Sequence, residues 1–201
     1  MIEYCVMQTP IPLNFNYITS YLPNVDIYKH ILTADSVTFS CDFYFSRHSD
    51  IKINKTLIGS NSGPVSLTIP IVKPKDKINS RIDNLIISSH GNWEHTHWGA
   101  IYSSYGKAPF FEHLAPLLLP FYTNRFTDNF FLFCNTLNKV IEDFIMLPPN
   151  FYSKKLSSNI NLSPYYQIWN QTVENNSFIP SLSILDIAMH LGPEAFPHLL
   201  L

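Results

Sequence analysis

Apolar side chains recur with helical spacing along the second half of the chain. One stripe, which predicts a helix over residues 93–105, consists of Trp93, His97, Ile101 and Tyr105. A second stripe, which predicts a helix over residues 129–146, consists of Phe130, Phe133, Leu137, Val140, Ile141 and Phe144. Prolines at 148 and 149 end this second helix, and a shorter helix bounded by prolines is predicted over 112–121. The second half is therefore expected to be mainly helical.

The first half instead alternates apolar and polar residues, with the period of two that is typical of strands. The segments that predict strands are residues 36–45, 51–58, 65–72 and 82–88. Pro70 makes the third of these an edge strand or places a bulge in it. A turn at Pro23 and Asn24 precedes one short helix that ends at Thr33, and its predicted inner face consists of Ile27, Ile31 and Leu32. Strands followed by helices predict an α+β fold, with a mostly β N-terminal half and a mostly helical C-terminal half.

Composition narrows the class of protein further. The chain has 201 residues, of which 46% are hydrophobic, so it can bury a core and is expected to form a single domain over 1–201. Its formal net charge of -2 predicts no nucleic acid partner. The sequence has no apolar stretch of about 18 residues and no signal-peptide pattern at its start, so we expect a cytoplasmic protein without a membrane span. A surface rich in Phe and Tyr is compatible with a homodimer.

Cysteines and histidines suggest further chemistry without defining it. The three cysteines include no CxxC pair; Cys134 is expected to be a core thiol, and Cys41 is a candidate nucleophile. His90, His95 and His97 could bind zinc, but residues two apart on a helix point about 200° away from each other. The alternative places His97 in a hydrogen bond inside the core and His95 at the surface. The sequence identifies no metal site and no cofactor.

Several polar residues are candidates for a functional site. A histidine titrates near neutral pH, so His97 could act as a general acid or base, with Asp42 or Asp186 as the acceptor that orients it. Asp186 lies among apolar residues and is therefore expected to be paired, capping or catalytic. Lys107, just after the 93–105 helix, could bind a phosphate or carboxylate. Gln167 can both donate and accept hydrogen bonds in an aromatic-lined pocket.

Seven segments occur in an order that resembles one protein family. They are YLPNVDIY (21–28), the strand with Asp42, INK (53–55), GPVSLTIPIV (63–72), the block from Trp93 to APFF (93–111), PYYQIW (164–169) and FIPSLSILDIAMHLGPEA (178–195). In this order they resemble the WbqC-like family of bacteria, in the form found in Bacteroidetes. The resemblance runs from about residue 21 to about residue 195, whereas residues 1–20 match poorly.

The resemblance implies a site and a biological setting. Family members share an acidic residue on the strand, here Asp42, and an Asn-Arg pair, which is Asn54 and Lys55 in this sequence. Lysine cannot make the bidentate contact that arginine makes with a carboxylate or phosphate. A Lys-Gln pair that usually precedes them is replaced by Ser49 and Asp50. The resemblance implies a role in making O-antigen and other surface polysaccharides, as an acyl- or aminoacyl-type transferase.

Three hypotheses about function follow from these residues. The first is a transferase-like enzyme for an activated sugar or acyl donor, in which His97 is the acid or base and Asp42 its partner. Its substrate-binding residues are Asn54, Lys55, Tyr105, Lys107, Gln167 and Asp186. The second is a binding or assembly module without chemistry, in which the same residues form a structural polar network. The third is a metal-dependent hydrolase that uses the three histidines at 90, 95 and 97.

Overall fold

A parallel pair of strands and the helix between them form the start of the fold. The computed structural model describes residues 14–40, 43–46, 51–78, 80–153, 164–169 and 178–200. Strand β1 (Asn14–Tyr17) pairs in parallel with β2 (Ser36–Phe39), and helix α1 (Val25–Thr33) crosses between them. The Asn24 side chain caps α1 because it accepts a hydrogen bond from the Ile27 backbone at 3.1 Å. The helix buries Val25, Tyr28, Ile31 and Leu32. The predicted inner face is confirmed for Ile31 and Leu32 and was wrong for Ile27, which is only half-buried.

An antiparallel hairpin follows, and it is shorter than the alternation predicts. Strand β3 (Lys55–Ile58) pairs with β4 (Val65–Thr68), and Lys55 lies opposite Thr68. The Asn54 side chain donates to the Ile69 carbonyl at 2.8 Å, and the Ile69 backbone donates to the Asn54 carbonyl at 2.9 Å. These two bonds hold the turn that precedes β3. The strand predicted over 51–58 therefore begins later than expected, at Lys55. Pro70 lies just beyond the end of β4, so it breaks no ladder.

The remaining strand predictions correspond to isolated bridges. Residues 82–84 form a short 3-10 turn, and the chain then runs extended, with bridges from Ile86 to Asn129 and from Ile87 to Ile71. The predicted strand over 82–88 was therefore wrong, because its backbone bonds alternate between two different neighbours. Strand β2 ends at Phe39, and Tyr44 makes a single bridge to Arg81. Cys41 and Asp42, in the rest of that predicted strand, lie outside the described residues.

Five helices complete the described part of the chain. They are α2 (Trp93–Tyr105), α3 (Phe111–Thr123), α4 (Phe130–Phe144), α5 (Ile184–Leu191) and α6 (Ala195–Leu199). Helix α2 has the predicted bounds, and α4 differs by one or two residues at each end. Helix α3 begins one residue before and ends two residues after the predicted 112–121, and it contains Pro116 and Pro120. Strands in the N-terminal half and helices in the C-terminal half make this an α+β fold, as predicted.

The helices pack around one buried apolar cluster. Helix α4 contributes Phe130, Phe133, Leu137 and Ile141 from its predicted stripe, whereas Val140 and Phe144 are only half-buried. Cys134 is fully buried on the same helix, so its prediction as a core thiol is confirmed. Among the described residues, no helix has the length and apolar character that crossing a bilayer requires.

Candidate functional site

Two adjoining cavities form a groove on the N-terminal half of the fold. The first, of about 380 Å³, lies between β1, the start of α1 and residues 51–57. The second, of about 420 Å³, lies between Phe45 and residues 68–71. Lys52 and Lys55 line both cavities, so their side chains form the shared wall. We call the two cavities together the lysine groove.

The lysine groove combines two cations with neutral polar groups and apolar surface. Lys52 and Lys55 are exposed, while Asn16, Ser20 and Asn24 supply polar side chains to the first cavity. Asn54 also lines the second cavity, but its amide nitrogen is engaged with the Ile69 carbonyl. Two lysines on one concave wall attract a phosphate or a carboxylate. Of the predicted substrate-binding residues, the groove brings together Asn54 and Lys55.

A buried histidine lies behind the second cavity. His97 is 4% exposed on α2, and its Nδ1 atom is 3.0 Å from the hydroxyl of Tyr21. That hydroxyl is 2.9 Å from the hydroxyl of Tyr122, so three polar side chains form a chain in the core. Burial lowers the pKa of His97 to about 4, although a hydrogen bond to the Thr68 backbone opposes this shift. The imidazole is therefore neutral at pH 7 and is bonded on two sides.

The histidine supports the wall of the groove without lining it. Thr68, whose backbone bonds to His97, lines the second cavity. Tyr21 donates its backbone N–H to the carbonyl of Ile53 at 2.7 Å, and Ile53 lines the first cavity. The prediction that His97 lies hydrogen-bonded in the core, with His95 exposed, is confirmed. Its predicted partner Asp42 lies outside the described residues.

The alternative partner, Asp186, belongs to a second buried cluster on α5. Its Oδ2 atom accepts hydrogen bonds from the hydroxyl of Tyr165 at 2.5 Å and from Nε2 of Gln167 at 2.8 Å. The hydroxyl of Tyr105 faces the same carboxylate and accepts the backbone N–H of Gly59 at 3.2 Å. Burial raises the pKa of Asp186 and raises that of Tyr165 well above its usual value. Within the described residues no hydrogen bond joins Asp186 to His97, whose Nδ1 atom faces the Tyr21 hydroxyl, so the prediction that Asp186 orients His97 was wrong. The Oδ1 atom of Asp186 is buried without a hydrogen-bond partner.

His190 completes this cluster as a neutral side chain. Its Nδ1 atom lies 2.7 Å from the backbone carbonyl of Asp186, and its Nε2 accepts the Ile168 N–H at 3.2 Å. A carbonyl can only accept, so Nδ1 carries the proton and Nε2 has none. Burial lowers the pKa of His190, which fits this assignment. The Nδ1 atom also lies 3.7 Å from Oδ1 of Asp186, but this contact is not a salt bridge because the imidazole is neutral.

The predicted residues thus occupy separate places. Tyr105, Gln167 and Asp186 are fully buried together and line none of the cavities described here. His97 and Tyr105 share a face of α2 but are separated by eight residues, or roughly 12 Å along the helix axis. Lys107 is exposed at another cavity of about 450 Å³, beside Asn61. The structure does not assemble these residues into the one pocket that the sequence suggested.

A third buried cluster was missed at the sequence level. The Oε1 atom of Glu142, on α4, accepts hydrogen bonds from the hydroxyls of Tyr28 at 3.0 Å and Tyr152 at 2.7 Å. Burial raises the pKa of Glu142, which is 4% exposed. One turn earlier, Asn138 donates to the carbonyl of Ser20 at 2.9 Å. The available signal was the spacing of Cys134, Asn138 and Glu142 by four residues, beside the apolar stripe of the same helix.

The histidines predicted as an alternative metal site do not converge. His90 and His95 are exposed, whereas His97 points into the core. Within the part of the chain that the structure describes, no group of three or more His, Cys, Asp or Glu side chains could hold a metal ion. The described residues therefore offer no support for the hydrolase hypothesis.

Comparison with known proteins identifies a family but no individual relative. No curated protein and no solved structure matches the chain. A model of the WbqC-like protein family matches residues 19–163, which include the lysines of the groove, His97 and Glu142. The segments with Gln167 and Asp186, which also carried the resemblance, lie beyond the matched region. Because the match covers well over half of the sequence, this chain belongs to the WbqC-like protein family.

Proposed function

We propose that this protein is a transferase-like enzyme of surface polysaccharide biosynthesis that binds an anionic, activated substrate in the lysine groove. The family is associated with O-antigen biosynthesis, which supports this setting. The substrate would be an activated sugar or a carrier-bound acyl group, and the reaction an acyl or aminoacyl transfer to a sugar. We further propose that the protein works in the cytoplasm, where activated sugars and acyl carriers are made.

The observation that carries the proposal is the position of the two lysines. Lys52 and Lys55 line both cavities, so a ligand in either one meets a cationic wall. The whole chain has a net charge of -2, so this local charge does not reflect a generally basic protein. Hydrogen bonds from a charged donor contribute about 1.5–3 kcal/mol each, enough for one lysine to change affinity tenfold or more. Phosphate and carboxylate groups, which activated sugars and acyl carriers bear, are the matching ligands.

The groove also suggests roles for the other predicted residues. Asn54 fixes the backbone beside Lys55 through its bonds to Ile69, so we assign it to positioning the lysine. His97 is neutral and bonded on two sides, so proton transfer would require it to leave Tyr21 or Thr68. We therefore assign His97 to holding the wall of the groove in place. Asp42 stays a predicted partner for a substrate hydroxyl.

A binding module without chemistry is the second candidate, and one observation favours it. The acid–base groups of the buried clusters are His97, Glu142, Asp186 and His190, and each is at most 4% exposed and hydrogen-bonded within the fold. None of the four lines the lysine groove. A protein of this kind could hold an anionic ligand for a partner enzyme. Turnover of a bound activated substrate would reject this candidate.

A thermal-shift screen tests the proposal directly. The purified protein is heated with nucleotide sugars, acyl-carrier thioesters or coenzyme A, each at several concentrations. A ligand at 100 times its dissociation constant adds about 2.7 kcal/mol to the free energy of unfolding, which gives a readable rise in Tm. We expect one of these anionic classes to raise Tm, and Lys52→Met and Lys55→Met each to reduce the rise.

The matched control is Lys139→Met, on the exposed side of α4. Lys139 forms an exposed salt bridge to Asp143, at 2.6 Å, and such pairs contribute about 0.2–1 kcal/mol. Lys139 lines neither cavity of the lysine groove, so its substitution removes the same charge elsewhere and the ligand-induced rise in Tm should persist. A rise that survives both groove substitutions unchanged would refute the proposed site.

A further inference from the structure

The loop that follows β4 displays lysines and aliphatic side chains together. Lys73, Lys75 and Lys77 alternate along it and are all exposed. Ile78 is 73% exposed, a higher fraction than any other large hydrophobic side chain described, and Val72 is 49% exposed. We call residues 72–78 the basic loop. The basic loop therefore presents two exposed aliphatic side chains and three lysines on one short segment.

The structure holds the basic loop in a defined conformation. The Ser80 backbone N–H is shared between the carbonyls of Asp76 and Lys77, each at 3.2 Å, and the Ser80 hydroxyl donates to the Lys77 carbonyl at 2.7 Å. The Ile78 carbonyl accepts the Arg81 N–H at 3.2 Å and the Asn84 side chain at 3.1 Å. Ile78 is therefore presented to the outside on an ordered turn.

The basic loop carries more positive than negative charge. Lys77 lies over the ring of Tyr44 at 5.0 Å, while Arg81 pairs with Asp83 at 3.0 Å. Within the described residues, no ion pair joins Lys73 or Lys75 to a carboxylate. Three lysines and a single aspartate, Asp76, give the loop a net positive charge in a chain whose net charge is -2.

The basic loop is continuous with the lysine groove. A cavity of about 370 Å³ is lined by the three lysines and Asp76 together with Phe45. Phe45 also lines the second cavity of the lysine groove, so the two surfaces meet at this side chain. A polyanionic surface placed against the loop would therefore lie at the mouth of the groove.

We propose that the basic loop docks this protein on the surface of an anionic lipid bilayer. The three lysines contact lipid phosphates, and Ile78 with Val72 enters the zone between headgroups and acyl chains. Basic residues near an anionic membrane contribute about 1 kcal/mol each, and buried apolar side chains add to this. The ordered turn limits the entropy lost on binding. This inference does not depend on the substrate of the groove, and it places the mouth of the groove beside the bilayer.

Vesicle co-sedimentation tests the docking surface. The protein is mixed with phosphatidylcholine vesicles, or with vesicles that contain about a third of phosphatidylglycerol, at low and high salt. We expect binding to the anionic vesicles only, and loss of binding at high salt because exposed charges are then screened. Lys75→Gln should weaken binding roughly fivefold, the equivalent of about 1 kcal/mol. Ile78→Ser should weaken it as well and leave the salt dependence unchanged.

The matched control is Lys139→Gln, which removes one exposed lysine from α4 and should leave vesicle binding unchanged. Failure to bind anionic vesicles at low salt would overturn the proposal and assign the loop to an acidic protein partner. Equal weakening by Lys75→Gln and Lys139→Gln would also overturn it, because the attraction would then not be localised to the basic loop. The groove proposal survives either failure, since it is tested by soluble ligands.

Discussion

Removing the buried carboxylate of Asp186 should destabilise the fold without preventing ligand binding in the lysine groove. In Asp186→Ala, the hydroxyl of Tyr165 and the amide of Gln167 lose the acceptor that they share. Each is buried, and an unsatisfied buried donor costs about 1–3 kcal/mol. Two such donors together predict a loss of about 2–6 kcal/mol, a large part of the 5–15 kcal/mol typical of whole domains.

Urea unfolding followed by circular dichroism measures this loss. The midpoint should fall while the slope with urea stays unchanged, because the substitution leaves the overall compactness of the chain the same. Asp143→Ala is the matched control, since Asp143 is an exposed aspartate on α4 that forms an exposed ion pair with Lys139. We expect the control to change stability by less than about 1 kcal/mol.

Two results would refute this reasoning about Asp186. One is a stability of Asp186→Ala within about 1 kcal/mol of the wild type, which would mean that the hydrogen bonds contribute little. The other is a variant of normal stability that no longer binds a ligand of the lysine groove. That second result would return Asp186 to the substrate-binding role that the sequence suggested.

Two further predictions concern the histidine behind the groove and a glycine under a tryptophan. Burial lowers the pKa of His97 to about 4, so between pH 6.5 and 4 the unfolded chain binds a proton that the folded chain does not. The neutral His97 therefore contributes about 3 kcal/mol of stability that is present above pH 6.5 and lost as the pH falls to 4. The free energy of unfolding in urea should depend less on pH in His97→Gln than in the wild type. The same pH dependence in both proteins would contradict this role of His97. In Gly59→Ala, the new Cβ atom would lie 2.0 Å from the ring of Trp169, so Tm should fall by the equivalent of about 1–3 kcal/mol or more. Gly99→Ala on α2 meets no atom within 4 Å and should leave Tm unchanged or higher, and equal Tm values for the two variants would contradict the packing.

The helices could be predicted from the sequence because their signals are local. Helix α2 has the predicted bounds, since its apolar stripe ends at Tyr105 and Gly106 follows directly. Helix α1 begins after Asn24, which has the side chain that caps a helix. Helix α3 was predicted to within two residues at each end although it contains Pro116 and Pro120, because tertiary packing of its apolar face outweighs the two lost backbone hydrogen bonds.

Strand boundaries depended on partners that alternation cannot reveal. Residues 85–87 form a short apolar run, but the Phe130 N–H donates to the Leu85 carbonyl and the Val72 N–H donates to that of Ile86. A segment that bonds to two different neighbours in turn forms bridges instead of a ladder. The pattern therefore predicted extended backbone correctly and the sheet incorrectly.

Candidate residues were easier to predict than their arrangement. The burial of His97 follows from its place on the apolar face of α2, but its partner Tyr21 is 76 residues away in the sequence. Glu142 was missed because a carboxylate beside an apolar stripe usually faces solvent, and only Tyr28 and Tyr152 bring it inside. Such contacts depend on how separate elements pack, which spacing along one element does not encode.

Isothermal titration with an anionic probe tests the central claim most directly. The probes are inorganic pyrophosphate and a nucleotide sugar, each titrated into the wild type, Lys55→Met and His97→Gln. The lysine groove predicts that Lys55→Met weakens binding tenfold or more, because one charge-assisted contact is lost. It also predicts that His97→Gln changes affinity less than about threefold, because a glutamine side chain can still hydrogen-bond to Tyr21 and hold the wall in place. Unchanged affinity in Lys55→Met, with binding lost in folded His97→Gln, would contradict the account and place the site at the histidine.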